Sequence, residues 1–334
     1  MDFYTKLVAI LFFPLHEYLK KHDTVRIRRD MEETQWLSIE QLTALQLDRL
    51  KVFLCDVEQH VPYYQQLFKR LEFNPENISS IEELSQLPLT DKPLIREYTE
   101  QLIADDAKDL SKFNTGGSSG EPLVFYIGKK RVSHDVAAKW RATRWWGVDI
   151  GDIEAVIWGS PIELGGQDKV KLIRDKFLRT HLIPAFEMSA AKIDGFIWQI
   201  KALRPKMLFG YPSALAHIAN HAEKTGQVVN DLGIKVAFVT SERLYDYQRS
   251  KIEQVFSCPV ANGYGGRDAG FIAHECPAGN MHITAEDIIV EIVDNNGQVL
   301  PHGQAGEIVV THLATRDFPF IRYQTGDVGV LSDQ

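Results

Sequence analysis

Asn114-Thr115-Gly116-Gly117-Ser118-Ser119-Gly120-Glu121-Pro122 can be neither helix nor strand. Its three glycines sit as readily at φ > 0 as at φ < 0, and Asn114 can follow more reluctantly. Beyond it lies Leu123-Val124-Phe125-Tyr126-Ile127, an apolar β-prone run, so the loop hangs from a strand. Backbone N–H groups and small hydroxyls without bulky side chains let phosphate oxygens approach closely. Thr115, Gly116, Gly117, Ser118, Ser119 and Gly120 therefore read as a phosphate clamp, although a solvated Gly/Ser linker would share this composition. The Walker pattern is excluded, because no Gly-Lys-Ser/Thr ends the stretch and no Gly-x-Gly-x-x-Gly opens a helix.

The 334 residues, 44% of them apolar, can bury a substantial core in about two domains or one large α/β domain. A formal charge of −8 and the absence of a basic stripe argue against a nucleic-acid partner. Three widely spaced cysteines, Cys55, Cys258 and Cys276, do not make a disulfide scaffold and point to a reducing, cytoplasmic compartment. The apolar run Leu7 to Leu15 is too short to span a bilayer. Asp2 before it and His16-Glu17-Tyr18 after it do not suit a signal peptide. The run reads as a helix packed on the protein's own body, with peripheral membrane contact the lesser alternative, aided by Lys20, Lys21, Arg26, Arg28 and Arg29.

Ser38 followed by Gln41 is a capping box, and Ile39, Leu42, Leu45, Leu50, Phe53, Leu54 and Val57 recur at helical spacing over about 39–59. Thr90 is expected to cap a helix over 92–100, and Ser213 another containing Leu215, Ile218 and Ala222. Residues 134–146 read as a helix with Trp140, Trp145 and Trp146 on or near its apolar face. A short buried strand with a glycine stop at 154–159, a strand-to-turn unit at 205–213 and further strands at 235–240 and 259–266 follow, separated by helical segments, which is the pattern of a largely parallel sheet covered on both faces. Ligands in such sheets bind past the carboxyl ends of the strands. After residue 283 the texture changes to β runs at 288–293 and 307–312 joined by Asp294-Asn295-Asn296-Gly297, which predicts a small antiparallel or barrel-like subdomain. The expected organisation is a helical segment over 1–36, a nucleotide- and acyl-binding α/β domain over 37–283, and a β-rich subdomain over 284–334.

Thr115 to Pro122 resembles the phosphate loop of the adenylate-forming enzymes, Thr-Ser-Gly-Thr/Ser-Thr/Ser-Gly-x-Pro, with Gly116 for the usual Ser and Glu121 where many members carry Lys. Three further elements follow in the family's order. Thr240-Ser241-Glu242 resembles the segment lining the adenine pocket, which implies that role for Ser241 and Glu242. Asn262-Gly263-Tyr264-Gly265-Gly266-Arg267-Asp268 resembles the Tyr-Gly-x-x-Glu element. The resemblance implies that Tyr264 flanks adenine, with Asn262, Gly263 and Gly265 around the nucleotide, and that Asp268 holds Mg²⁺. Arg267 could pair with the α-phosphate or the substrate carboxylate as a planar fork. Ile321-Arg322-Tyr323-Gln324-Thr325-Gly326-Asp327 resembles the Arg-Tyr-x-Thr-Gly-Asp element, and Asp327 is implied to receive the ribose hydroxyls, for which a carboxylate is apt. The helix ending in Val61-Pro62-Tyr63-Tyr64 and the later Leu87-Pro88-Leu89-Thr90-Asp91-Lys92 are similar to the phenylacetate–CoA ligase-like branch. Gly210-Tyr211-Pro212-Ser213 and Glu82-x-Leu84-x-x-Leu87-Pro88 are similar to its capsular-polysaccharide members.

The resemblance implies an α/β fold and ATP-dependent activation of a carboxylate to an acyl-adenylate with release of pyrophosphate, followed by transfer to CoA or an amine. Ser118, Ser119, Arg267 and Asp268 would neutralise and align the reacting charges. It also implies an acyl pocket near Trp158, Gly210, Tyr211 and Pro212. Members continue past Thr-Gly-Asp into a mobile carboxyl-terminal domain with a bridging lysine, so a truncated chain is expected. Cys276 and His282 resemble half of a structural zinc site of that branch, its other half falling beyond Gln334, with a free buried thiol and a surface imidazole as the alternative. Cys258 and His274 are weaker candidates. Two further readings are a nucleotide-binding homologue without ligase activity and a membrane-peripheral scaffold. Substrate identity and oligomeric state are not legible.

Overall fold

The helix expected after Ser38 forms over Ile39–His60 with both halves of its capping box closed. Ser38 Oγ accepts from the Gln41 N–H at 3.2 Å, and the Gln41 side chain accepts from the Ser38 N–H at 3.0 Å. Leu50, Phe53, Leu54 and Val57 make its buried stripe. Val61 leaves the helical region because Pro62 follows, and Pro62 then opens the helix Pro62–Leu71.

The computed structural model describes residues 2–115, 122–159 and 169–332, with backbone only at 169–172. Twelve strands occur among the described residues: β1 (Ser111–Asn114), β2 (Val124–Ile127), β3 (Glu154–Trp158), β4 (Thr180–Pro184), β5 (Met207–Gly210), β6 (Val236–Thr240), β7 (Val260–Gly266), β8 (Gly270–Glu275), β9 (Met281–Ile283), β10 (Ile288–Val293), β11 (Ala305–His312) and β12 (Tyr323–Val330). The chain forms two compact units. One comprises Met1–Lys20, Lys139–Gly265 and Ala273–His282; the other comprises Lys21–Ala138, Gly266–Ile272 and Ile283–Gln334.

The first unit is built on the sheet of order β4-β3-β5-β6-β7-β8-β9, in which β3 pairs parallel with β4 and β5, and β6 parallel with β5 and β7. Every residue of β5 and of β6 is buried, so neither alternates: a central parallel strand has helices on both faces. Ile157, Leu208, Ala237 and Val239 pack with Ile193, Ile197 and Ile200 of helix Ala190–Leu203 and with Leu215, Ile218 and Ala222 of helix Pro212–Thr225 in one apolar core. The second helix is not capped by Ser213. Tyr211 occupies the N-cap and Pro212 opens the first turn, where its missing N–H costs nothing.

The second unit holds the hairpin β1–β2 and the antiparallel sheet β10-β11-β12, the small β subdomain expected after residue 283. Asp294 starts the turn after β10 by accepting from the Asn296 N–H at 2.8 Å, and Gly297 takes φ +77°. Helix Lys92–Glu97 is capped by Asp91, which accepts from the Leu94 N–H at 2.8 Å, and not by Thr90. Thr90 is used elsewhere: it bridges Tyr323 in parallel, and its Oγ1 donates to the Ile321 carbonyl at 2.7 Å.

The amino-terminal run is helical as expected, over Phe3–Leu7, a π-helical turn at Val8–Phe12, and Phe13–Leu19. Only part of its apolar run is buried. Thr5, Val8, Phe13 and Glu17 face inward, while Ile10 stays 76% exposed and Leu11 52%. No helix among the described residues is long and apolar enough to cross a membrane.

Candidate active site

In the first unit the carboxyl ends of the parallel strands stand in register. Ile157 of β3 lies opposite Gly210 of β5, Gly210 opposite Val239 of β6, and Val239 opposite Asn262 of β7. Trp158, Tyr211, Pro212, Ser241, Glu242, Gly263, Tyr264 and Gly265 therefore belong to, or directly follow, the carboxyl-end segments of four adjacent strands. This is where doubly covered sheets put their ligands.

Local chemistry fixes several of these positions. A Cβ on Gly210 would sit 2.1 Å from the Ile157 carbonyl oxygen, and one on Gly263 2.9 Å from the Phe238 ring, so strand packing itself demands glycine at both. Ser241 takes φ +68°, a left-handed conformation that a non-glycine residue adopts at a cost of about 1–3 kcal/mol and that clusters at ligand clamps. Glu242 accepts from the Ser213 N–H at 3.3 Å, which sets its carboxylate at the amino end of helix Pro212–Thr225. Trp158 stacks on Tyr211 with centroids 4.5 Å apart and on Phe209 at 6.1 Å. Its buried indole N–H has no partner among the described residues. The Asn262 N–H donates to Glu275 at 2.8 Å, and Arg249 holds the same carboxylate at 2.8 Å and the Val260 carbonyl at 2.7 Å. Arg249 and Glu275, absent from the sequence reading, thus pin β7 two residues before Tyr264.

The second unit carries Thr115, Arg267, Asp268 and Asp327. Gly116, Gly117, Ser118, Ser119, Gly120 and Glu121 lie outside the described residues. At the base of that loop Thr115 is tied twice to Leu123: its N–H donates to the Leu123 carbonyl at 3.0 Å, and its Oγ1 accepts from the Leu123 N–H at 2.9 Å. Asp327 is exposed within β12 at a register shift against β11, where Gly326 has φ +81° and the Asp327 N–H donates to Thr325 Oγ1 at 3.2 Å.

Asp268 is the best supported side chain of the set. Its Oδ2 accepts from the Tyr323 hydroxyl at 2.6 Å and its Oδ1 from the Ala269 N–H at 3.0 Å. Burial and the Asp268 carboxylate push the Tyr323 pKa up, so this hydroxyl stays protonated and donates. The backbone is held from below by Arg131, 2% exposed, whose Nη1 donates to the Asp268 carbonyl at 3.0 Å and Nη2 to the Arg267 carbonyl at 3.3 Å. Arg131 Nε in turn reaches both Asp135 oxygens at 3.0 Å. Gly270, at φ +90°, leaves space for this guanidinium, since a Cβ there would come within 2.9 Å of Arg131 and His312. Two carboxylate oxygens with spare lone pairs in a half-buried, hydroxyl-supported setting fit Mg²⁺, which binds through one or two carboxylates and keeps waters and phosphate oxygens.

Asp135 also faces His134 and His312, each at 4.0 Å, and His134 faces Asp287 at 3.5 Å. The His134, Asp135 and His312 ligand atoms lie close enough for a cation. The protonation pattern opposes one: the Ala314 N–H donates to His312 Nδ1 at 3.2 Å, so the ring proton sits on Nε2 and offers no lone pair toward Asp135. The cluster is instead a chain of charges, Arg49–Asp287–His134–Asp135–Arg131. Asp287, which burial alone would push up, is held at about 2 by His134 and Arg49.

The two histidines titrate oppositely. Burial resists charge on His134, but the facing Asp135 and Asp287 outweigh it and raise its pKa above 6.5. Its stabilisation is complete below the ordinary histidine range and lost as pH rises through the raised value. His312 is lowered well below 6.5 by burial, then by Arg131 and His134, so the unfolded chain takes a proton that the fold refuses and stability falls toward acid. Urea unfolding at about pH 5.5 and about pH 8 is expected to show His134→Gln costing more at the lower pH and His312→Gln costing less, each by about 1 kcal/mol. Equal penalties at both pH values would contradict the assignment.

Cys276 and His282 flank the turn between β8 and β9. The Cys276 N–H donates to the Asn280 carbonyl at 3.0 Å, and the exposed His282 ring lies edge-on to Trp145 at 5.8 Å. Burial pushes the Cys258 thiol up to about 12.

Residues 179–314 match the family model for AMP-binding enzymes. Over that stretch the chain is similar to AMP-binding enzymes, the adenylate-forming class. The chain is 26% identical over 287 residues to the protein CapK of Staphylococcus aureus, covering 86% of this chain and 62% of that one. It is 27% identical over 314 residues to a phenylacetate–coenzyme A ligase of Pseudomonas putida, covering 92% and 70%. Within that class the chain is thus similar to CapK and to phenylacetate–CoA ligases. Its fold matches that of 2-hydroxyisobutyryl-CoA ligase, solved with 2-HIB-AMP and CoA, at a TM-score of 0.73 and 20% identity, over 89% of this chain and 65% of that one. The chain spans about two thirds of the length of these relatives.

Proposed function

We propose that the protein activates a carboxylic acid with ATP and passes the acyl group to CoA. The observation carrying this reading is the register of β3, β5, β6 and β7, which puts the implied acyl residues and the implied adenine residues on one row of strand ends. A carboxylate oxygen of the substrate attacks the α-phosphorus, the bond to pyrophosphate breaks, and an acyl-adenylate forms. The CoA thiol then attacks the acyl carbon and releases AMP. Mg²⁺ held by Asp268 would neutralise phosphate charge. Arg267 pairs with the α-phosphate or the carboxylate, Ser118 and Ser119 donate to phosphate oxygens with the backbone of Gly116, Gly117 and Gly120, Tyr264 flanks adenine and Asp327 receives the ribose. Trp158 and Tyr211 form the wall of the acyl pocket, and the Trp158 indole N–H is a donor for a polar group on the acid.

The relative named CapK supports a substrate from cell-surface polysaccharide chemistry, and the CoA ligases support an aryl or branched acid. Three free thiols fit a cytoplasmic setting. Cys276 and His282 supply two zinc-type donors, and among the described residues no third Cys, His or carboxylate completes the group, so a structural zinc here requires donors from elsewhere.

The test is ATP–pyrophosphate exchange with a panel of acids, using the full-length chain. Acid-dependent exchange is expected, reduced about a hundredfold in the Ser118→Ala/Ser119→Ala double variant. Nucleotide binding with no exchange for any acid would replace this reading with that of a non-catalytic nucleotide-binding protein.

A further inference from the structure

The amino-terminal helix has its polarity reversed. Inward it turns Thr5 and Glu17 along with Val8 and Phe13; outward it turns Phe3, Ile10, Leu11, Leu15, Tyr18 and Leu19, each more than half exposed. This orientation is fixed by specific contacts. Asp2 accepts from the Thr5 N–H at 2.6 Å and pairs with Arg179 at 2.9 Å. Thr5 Oγ1 donates to Asp152 at 3.0 Å, and the Tyr4 hydroxyl donates to the Phe177 carbonyl at 3.0 Å. Gly151, at φ +91°, leaves room for Val8, because a Cβ there would lie 2.6 Å from the Val8 Cβ. The apolar face therefore points away from the unit by construction. Helix Lys169–Leu178 continues it with Ile173 and Phe177, 58% and 53% exposed, Phe177 lying 6.0 Å from the Phe12 ring.

The charges around this face select its partner. Its acids are engaged or buried: Asp2 with Arg179, Asp175 with Arg174, and Glu17, 4% exposed, beside His16. Lys6, Lys20 and Lys176 are exposed, and no ion pair among the described residues engages them. Outward aliphatic and aromatic side chains with a rim of uncompensated lysines fit an interface helix lying in an anionic lipid surface, apolar face in the acyl boundary and ammonium groups among headgroup phosphates. We propose that the protein binds peripherally to anionic membranes through this helix, which is independent of the ligase reading.

The test is co-sedimentation with vesicles of phosphatidylcholine mixed with phosphatidylglycerol, and with vesicles of phosphatidylcholine alone. The wild-type protein is expected to pellet with the mixed vesicles, less so as salt is raised. Ile10→Ser/Leu19→Ser is expected to weaken partitioning about a hundredfold, and Lys6→Glu/Lys20→Glu at least about tenfold, with the thermal midpoint unchanged because all four side chains are exposed. Wild-type protein left in the supernatant, or equal pelleting with both vesicle types, overturns the proposal. A dimer dissolved by Ile10→Ser/Leu19→Ser without vesicle binding assigns the face to a second copy instead.

Discussion

Asp268→Asn is expected to lower acid-dependent ATP–pyrophosphate exchange by about two to three orders of magnitude while leaving the fold intact. Asparagine keeps an oxygen that can accept from the Tyr323 hydroxyl, now 2.6 Å from Oδ2, and leaves the Arg131 contacts to the main-chain carbonyls of residues 267 and 268 unchanged. It removes the charge and, with its one oxygen kept for Tyr323, the acceptor that now serves the Ala269 N–H at 3.0 Å. A lost charge at a Mg²⁺ ligand weakens the metal before it weakens the acid, so raising Mg²⁺ should restore part of the rate. Tyr323→Phe complements this: it frees the carboxylate to rotate without changing its charge, and about a tenfold loss is expected that added Mg²⁺ does not restore. Exchange by Asp268→Asn within twofold of the wild type would show that this carboxylate does not hold the metal.

Elements whose determinants lie within one turn or one strand are legible in the sequence. Ser38 and Gln41 are three residues apart and announce the helix that follows, and the buried runs at β5 and β6 announce parallel strands. Errors arose where two residues could play the same local part. Thr90 and Asp91 are both capping types; the structure uses Asp91 and sends Thr90 to Tyr323, a choice set by a partner over two hundred positions away. Proline at the first helical position likewise moved the N-cap of helix Pro212–Thr225 from Ser213 to Tyr211. The support of Asp268 was invisible for the same reason. Arg131 and Tyr323 are 137 and 55 residues from it, and neither stands in a pattern whose spacing carries the contact. In the sequence Arg322 reads only as part of the Thr-Gly-Asp element, yet it is 3% exposed and ties the Leu87 carbonyl at 2.6 Å and Glu291 at 3.0 Å. The order of the two elements was readable, but not the bond between them.

Arg131→Met is expected to destabilise the second unit by about 3–5 kcal/mol, measured by urea unfolding, because it leaves Asp135 without its guanidinium partner. Methionine fills much of the same volume, so the penalty is electrostatic and not a cavity cost. Replacing both partners separates two roles of this arginine. In Arg131→Met/Asp135→Leu no unpaired carboxylate remains, and about half or more of the lost stability should return, as it does when a buried ion pair is exchanged for apolar side chains. The carbonyls of Arg267 and Asp268 still lack their donors, so the loop that presents Asp268 stays untethered and exchange should remain depressed about tenfold. Stability recovered together with full exchange would confine Arg131 to holding the fold. Stability recovered without exchange shows that the buried guanidinium aims the carboxylate.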